Sequence, residues 1–348
     1  MKKVSIALLD LNVLGGIQLM TIDTLRILSK GGYHITLITS RTSPLILNEL
    51  KKDDTLKNLS IERLPDLKNV TLQMLHDFLS KRKVTINMHG DIQPIMGDII
   101  YFHQFNVDYR IRSPIKERLK ILPQYQIRKT FIQRAKKEGS IIAVNSRWTK
   151  AEAKYFWDID ATLLHPPVHL KLDGKLKEDF EREKAVITVS RFSRDRGLER
   201  VLKVARNLSD VKFILAGHVQ DEQYFRELLE SKTENVSLYP NVEEEQKTKL
   251  LLSSRVYFNP TPYIEGFGVA VVEGMNAGLI PVSRDVGGVV DFVPIKYTYH
   301  KDDEIQAKIE EAINEWNFCK AKEMMKKAED FSIENYERNL LDLVNKVL

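Results

Sequence analysis

The sequence predicts an α/β protein with two doubly wound, Rossmann-like parallel-sheet domains, and three observations lead there. Short apolar runs rich in β-branched residues alternate with helix-compatible stretches along the whole chain. The runs are continuously apolar rather than alternating, as in strands covered on both faces of a parallel sheet. A proline-marked piece, LLHPPVHL at 163–170, and the polar run KLDGKLKEDFEREK at 171–184 split this alternation into two halves. That combination reads as a linker.

In the first half the strand candidates are VSIALLD (4–10), HITLIT (34–39), VTINM (84–88), DIIYFH (98–103) and SIIAVN (140–145). Helical stretches at 17–30, stopped by Gly31-Gly32, and at 69–81 lie between them. In the second half AVITVS (185–190), VKFILAG (211–217), NVSLYP (235–240), RVYFNP (255–260) and LIPVS (279–283) are separated by helical stretches near 197–208, 221–231, 243–253 and 268–277. The segments at about 303–315 and 320–348 read as helical and charged. The expected domains are therefore 1–167 and 168–330, with the final helix, 331–348, packing back on the first. Ligands of open α/β sheets bind beyond the carboxyl ends of the strands. Two such domains facing each other predict a cleft between them.

Composition excludes several classes. At 348 residues, with 43% hydrophobic and 29% charged residues, the balance is that of a globular protein. Cys319 is the single cysteine, so neither a disulfide framework within the chain nor a cysteine-based zinc site is expected, and a reducing, cytoplasmic compartment fits. The opening MKKVSIALLDLNVLGG is superficially like a secretion leader, but Asp10 and Asn12 interrupt its apolar run and no small-residue cleavage site follows. It reads as a buried first strand. No segment approaches the roughly 18 apolar residues of a membrane span.

The chemistry gathers in YIEGFGVAVVEG, 263–274. Gly266 and Gly268 mark a tight turn where backbone can approach a ligand, and the apolar residues after them open a helix. A helix start offers free N–H groups and a positive dipole end, a natural seat for an anion. Glu265 and Glu273 flank that seat and would compete with a phosphate unless they reach past it to hydroxyl groups. Upstream, SRFSRDRG places Arg191 and Arg196 just after a strand, where guanidinium groups suit a diphosphate. Gly15-Gly16 opens the first helix, where amides could meet a phosphate or a sugar; taken alone the pair reads first as a plain tight turn, and it is no GxGxxG fingerprint. His103 ends one strand and His89 another, and both are candidates for an active-site histidine, with His103 preferred. From Arg110 to Lys137 there are ten Lys/Arg and one acid, Glu117, with apolar residues interleaved. Such a stretch suits an anionic membrane surface or a solvated helix face. No nucleic-acid motif accompanies it.

The stretch NPTPYIEGFGVAVVEGMNAGLIPVSRDVGGVVDFV resembles the Glu-x7-Glu signature of the glycosyl transferase group 1 family, retaining glycosyltransferases of the GT-B fold. SRFSRDRG resembles that family's arginine–lysine phosphate pair, with Arg196 where lysine is usual. LGGIQ resembles its N-terminal glycine loop, and AVNSRWTKAEAKYF with LLHPPV is similar to mannosyltransferases of the Alg2 and Alg11 type.

The resemblance implies a role for each residue. Glu265 contacts hydroxyls of the transferred sugar and Glu273 holds the nucleotide ribose. The amides of Gly266, Phe267, Gly268 and Val269 meet the phosphates, with Gly15 and Gly16 on the opposite side. Arg191 and Arg196 neutralise the leaving diphosphate, and His103 contacts the donor sugar. The implied activity is transfer of a hexose, mannose or glucose, from a nucleotide diphosphate sugar to a glycan or lipid-linked acceptor, with retention. No acid cluster suggests a metal site, so neither metal nor cofactor is expected. The chain would be cytoplasmic, with peripheral contact to an anionic membrane through 110–137. Competing readings are a nucleotide-sugar epimerase or sugar phosphorylase on the same fold, and a non-catalytic nucleotide-sugar-binding protein.

Overall fold

Strands buried on both faces need helices on both sides, and each half of the chain satisfies that need separately. The computed structural model describes residues 2–12, 15–105, 108, 110–111, 114–169 and 182–348. Contacts divide the chain into two units, Met1–Pro167 with Glu334–Leu348, and Val168–Ile333. The expected linker, 171–184, lies outside the described residues apart from its last three.

The first unit contains β1 (Lys3–Ala7), β2 (Asp10–Leu11), α1 (Gly16–Lys30), β3 (His34–Thr39), β4 (Arg41–Thr42), α2 (Pro44–Lys52), β5 (Leu59–Arg63), α3 (Val70–Leu79), β6 (Lys83–Asn87), β7 (Met96–Phe102), α4 (Ile115–Lys137), β8 (Ile141–Val144), α5 (Arg147–Trp157) and β9 (Thr162–Leu163). Seven strands form one sheet in the order β5-β3-β1-β6-β7-β8-β9, and every pairing is parallel. Strand order reverses between β1 and β6. β5 escapes a reading based on apolar runs because it is an edge strand, LSIER, with no fully buried residue.

The second unit contains β10 (Ala185–Val189), α6 (Glu199–Asn207), β11 (Lys212–Gly217), α7 (Glu222–Ser231), β12 (Val236–Pro240), α8 (Glu244–Ser253), β13 (Val256–Phe258), α9 (Val269–Asn276), β14 (Ile280–Arg284), β15 (Thr298–Tyr299), α10 (Ile305–Glu315) and α11 (Phe318–Ala328). Its sheet runs β12-β11-β10-β13-β14-β15, again parallel throughout. Here the order reverses between β10 and β13, so the ends of those two strands form the switch point where ligands of such sheets bind.

The charged tail expected to be helical over 320–348 is two helices, α11 and α12 (Ile333–Val347). The break follows from Phe331, which is buried with its ring 5.2 Å from Phe267 and 5.4 Å from Phe292. Its carbonyl accepts from the Val168 amide. In α12, Tyr336 is buried in the first unit, its hydroxyl 2.6 Å from that of Thr24 on α1.

The basic stretch 110–137 does not form a uniformly charged surface. It contains α4, whose residues Ile121, Arg128, Phe131, Ile132 and Ala135 are buried. Arg128 is 1% exposed, with Nε 2.9 Å from the equally buried Asp108 carboxylate. Its Nη1 donates to the Asp91 carbonyl at 2.8 Å, and its guanidinium lies 5.0 Å from Phe102 and 5.1 Å from Phe105. A cation can be buried only when paired and hydrogen-bonded; here Asp108 supplies the opposite charge and the Asp91 carbonyl a hydrogen bond. Arg112, counted with the basic stretch, lies outside the described residues.

Removing one partner of a buried pair leaves an uncompensated charge. Arg128→Ala should therefore lower the unfolding free energy of the first unit by about 3–5 kcal/mol, read by chemical denaturation. A loss below about 1 kcal/mol would show that the pair is not structural.

Candidate functional site

The second unit's switch point is built from three segments. The first is the loop after β10. Phe192 is fully buried, its amide donates to the His218 carbonyl at 2.8 Å, and its ring packs 4.9 Å from Phe225. This anchor leaves Arg191 on one side and, after a single tight turn at Arg194–Arg196, Arg196 on the other. Asp195 lies between them, with Oδ2 3.7 Å from Arg191 Nη2 and 3.4 Å from Arg196 Nε. Arg191 Nη1 also donates to Gln220.

The second segment is the loop after β13, residues 259–268. Four of its carbonyls are held from outside: Tyr299 donates to Asn259, Arg200 to Pro260, Arg284 to Pro262 and the Gly288 amide to Glu265. The last contact needs glycine. A Cβ at Gly288 would sit 2.1 Å from the Gly266 carbonyl oxygen, and one at Gly287 would sit 2.4 Å from the Glu265 carbonyl oxygen. The glycine pair at the end of the family-like stretch therefore lets two loops touch backbone to backbone.

The third segment is the start of α9. Gly268 precedes it at φ 101°, a left-handed conformation that favours glycine. No side chain caps this helix start, so its first amides keep donors available to a ligand.

The two glutamates bracket that helix start, and each is tied to a cation. Glu265 Oε1 accepts from Arg196 Nη1 at 2.9 Å, and Oε2 accepts from Asn259 Nδ2 at 3.0 Å. Glu273 lies one helix turn inside, 14% exposed at its side chain, with Lys247 Nζ 3.3 Å from Oε1. Burial pushes the Glu273 carboxyl above the usual carboxylate range, and Lys247 opposes that rise. The structure thus brings together Arg191, Arg196, Glu265, Gly266, Phe267, Gly268, Val269 and Glu273 in one unit.

Gly15, Gly16, His89 and His103 belong to the first unit. Gly15 precedes α1, and its amide already donates to Gln18 Oε1 at 3.1 Å. The His103 amide donates to Asp91, the Gln104 amide donates to the same carboxylate, and His103 Nε2 donates to the Met88 carbonyl at 3.0 Å. His103 therefore has its ring orientation fixed. His89 sits 5.9 Å away, edge to face, and lines a cavity of about 300 Å³ with Asp10, Arg41 and Gln73. Its buried Nδ1 has no hydrogen-bond partner. Burial, helped by nearby His103, depresses the His89 pKa to about 3, and burial also lowers that of His103. Both rings are neutral near pH 7. Among the described residues, no group of three or more His, Cys, Asp or Glu is placed to hold a metal ion, and no helix is long and apolar enough to cross a membrane.

Sequence reasoning missed Asn259 and Lys247. A polar residue directly after the buried VYF strand was a usable signal for Asn259. Lys247 lies in the charged run EEEQKTK, where nothing local separates it from its neighbours.

Two parallel-sheet Rossmann-like units, the second with arginine, glutamate and an uncapped helix start at its switch point, define a GT-B fold. Residues 175–337, which make up most of the second unit, match the family described as Glycosyl transferases group 1. The chain is 27% identical over 281 residues to a GDP-Man:Man(3)GlcNAc(2)-PP-Dol alpha-1,2-mannosyltransferase of Dictyostelium discoideum, covering 71% of this chain and 55% of the relative. It is 28% identical over 148 residues to the phosphatidylinositol N-acetylglucosaminyltransferase GPI3 subunit of Saccharomyces cerevisiae, covering 40% of this chain and 32% of the relative. It thus spans from about a third to about half of the curated relatives it matches. The crystal structure of WaaG, a glycosyltransferase involved in lipopolysaccharide biosynthesis, superposes with a TM-score of 0.75 at 13% identity, covering 98% of this chain and 99% of that one.

Because a Cβ at position 288 has no room, Gly288→Ala should destabilise the second unit by about 1–3 kcal/mol. The melting temperature should fall with it, since the loop carrying Glu265 must move. A variant with wild-type melting temperature would show that the two loops are not coupled.

Proposed function

We propose that the protein is a retaining glycosyltransferase that moves a hexose, mannose or glucose, from a nucleotide diphosphate sugar to a glycan or lipid-linked acceptor, without metal or cofactor. The observation that carries this reading is the Arg196–Glu265 contact beside the uncapped start of α9, inside the family-matched segment. In this reading the diphosphate sits on the α9 amides. Glu265 accepts from hydroxyls of the sugar and Glu273 from the ribose. Arg191 and Arg196 meet charge that grows on the leaving diphosphate, so their effect is largest in the transition state. The leaving phosphate itself assists the acceptor hydroxyl, since among the described residues none presents itself as a nucleophile. His103 or His89 supplies a neutral hydrogen-bonding group toward the substrate.

Arg196→Ala should lower turnover at saturating donor by about 10²–10³-fold, while Arg196→Lys retains most of it. Transfer of radiolabelled hexose measures both. A wild-type rate for the alanine variant would remove Arg196 from the leaving group.

The same reading places the protein peripherally on the cytoplasmic face of a membrane. Two of the curated relatives are named for Man(3)GlcNAc(2)-PP-Dol and for phosphatidylinositol. In the first unit α3 exposes Val70, Leu72, Leu75 and Leu79, and α4 exposes Ile115, Leu119 and Leu122. The two helices are neighbours, Gln124 donating to Thr71. Lys116, Arg118, Lys120 and Lys129 are exposed on α4, and no ion pair holds them among the described residues. Apolar stripes fringed by unpaired cations suit an anionic lipid surface.

Each cation near such a surface contributes about 1 kcal/mol. Replacing Lys116, Arg118 and Lys120 with serine should weaken binding to anionic vesicles on the order of 100-fold, and salt should weaken the wild type alike. Equal co-sedimentation with neutral and anionic vesicles, or none with either, would sink the membrane reading.

A further inference from the structure

Lys247 is drawn into the second unit's site by a contact that the role of Glu273 does not require. It projects from α8, Glu273 projects from α9, and both helices flank β13. Lys247 Nζ is 3.3 Å from Glu273 Oε1 and 3.4 Å from Oε2, so it touches both carboxylate oxygens. Its other partner, Glu244, lies 2.8 Å away, but that side chain is 82% exposed, against 11% for Lys247. Water can replace the Glu244 contact. It cannot so readily replace a cation beside a carboxylate held 14% exposed.

We infer that Lys247 is a positioning residue for the nucleotide donor, aiming the Glu273 carboxylate at the ribose hydroxyls and keeping it in its acceptor-only form. The inference rests on the reading of Glu273 as the ribose ligand. An ionised carboxylate accepts from two neighbouring hydroxyls at once, whereas a protonated one spends an oxygen as a donor. The groups that face Glu273 are Lys247 and Glu244 from α8, His169 from the segment before β10, and Tyr257 from β13. Glu244 raises its proton affinity, as burial does; Lys247 and His169 lower it. Tyr257 stays neutral, its hydroxyl donating to the Val189 carbonyl. Removing Lys247 therefore raises the Glu273 pKa further. At a fixed pH more of the carboxyl is protonated, and donor affinity is lost until the pH rises above the shifted value.

The test is calorimetric titration across pH with UDP-, GDP- and ADP-sugars, whose diphosphate diester stays ionised over the range. Lys247→Met should weaken the donor that binds best by about tenfold near neutral pH and move the acid limb of the affinity profile to higher pH. Lys247→Gln, which keeps a polar side chain of similar reach, should show the same shift and stands in should the methionine variant fold poorly. Lys247→Arg should keep the wild-type limb. Glu244→Gln and His169→Asn should leave the lysine effect in place. A folded Lys247→Met or Lys247→Gln variant with wild-type affinity and an unmoved acid limb would overturn the inference, provided Glu273→Gln weakens binding. Should Glu273→Gln bind donor like the wild type, the ribose reading itself fails and the role of Lys247 falls with it.

Discussion

Two partly buried carboxylates need more than a helix start to compensate them, and the candidate site is organised around that constraint. The uncapped amides of α9 favour negative charge, which helps to hold Glu265 and Glu273 close to them. Partial burial makes charge costly, so each glutamate is given a cation from a different element: Arg196 from the loop after β10, Lys247 from α8. Those contacts couple the loop after β10, the loop after β13, and helices α8 and α9 into one electrostatic unit. The backbone contact of Gly287 and Gly288 with residues 265–267 completes it. It fixes where the Glu265 carbonyl lies, and so where its side chain begins.

The strands were legible wherever a sheet is covered on both faces, because burial then leaves the inner positions to apolar residues and threonine. AVITVS, VKFILAG and HITLIT show this directly. Legibility ended where one face meets solvent. β5 is a half-exposed edge strand, α2 is nine residues long with three buried, and neither interrupts an apolar run. The basic stretch failed for another reason. Charge counted along a sequence cannot say which side chain turns inward, and Arg128 turns inward because Asp108 and two phenylalanine rings wait there. Likewise nothing local in EDFSIE marks Phe331 as the residue that halts a helix. Its partners, Phe267 and Phe292, are far away in the chain.

The site was legible to the same degree and for a similar reason. Glu265, Glu273 and the glycines lie in one continuous stretch, so their spacing is visible in sequence. Arg191 and Arg196 follow a strand and inherit their position from it. Lys247 has no such signal: its importance comes from the packing of α8 beside α9, and a lysine in EEEQKTK reads as solvated. Asn259 sits between these cases. Its place at the end of β13 was readable, but its bond to Glu265 depends on how the loop folds back.

The charge states of the two histidines set them apart from the arginines of the second unit. His103 has its ring nitrogen and amide committed to the Met88 carbonyl and the Asp91 carboxylate. His89 keeps an unpartnered ring nitrogen beside a cavity whose lining includes Asp10, Arg41 and Gln73. Burial holds both neutral, and a neutral imidazole can orient a hydroxyl but cannot offset a departing diphosphate. Arginine, by contrast, keeps its proton at any pH where the protein is folded. On the proposed reading, Arg191, Arg196 and the α9 amides of the second unit meet the charge that develops on the diphosphate. The first unit contributes two neutral histidines, a cavity lined by Asp10 and Arg41, and helix faces that are apolar and basic.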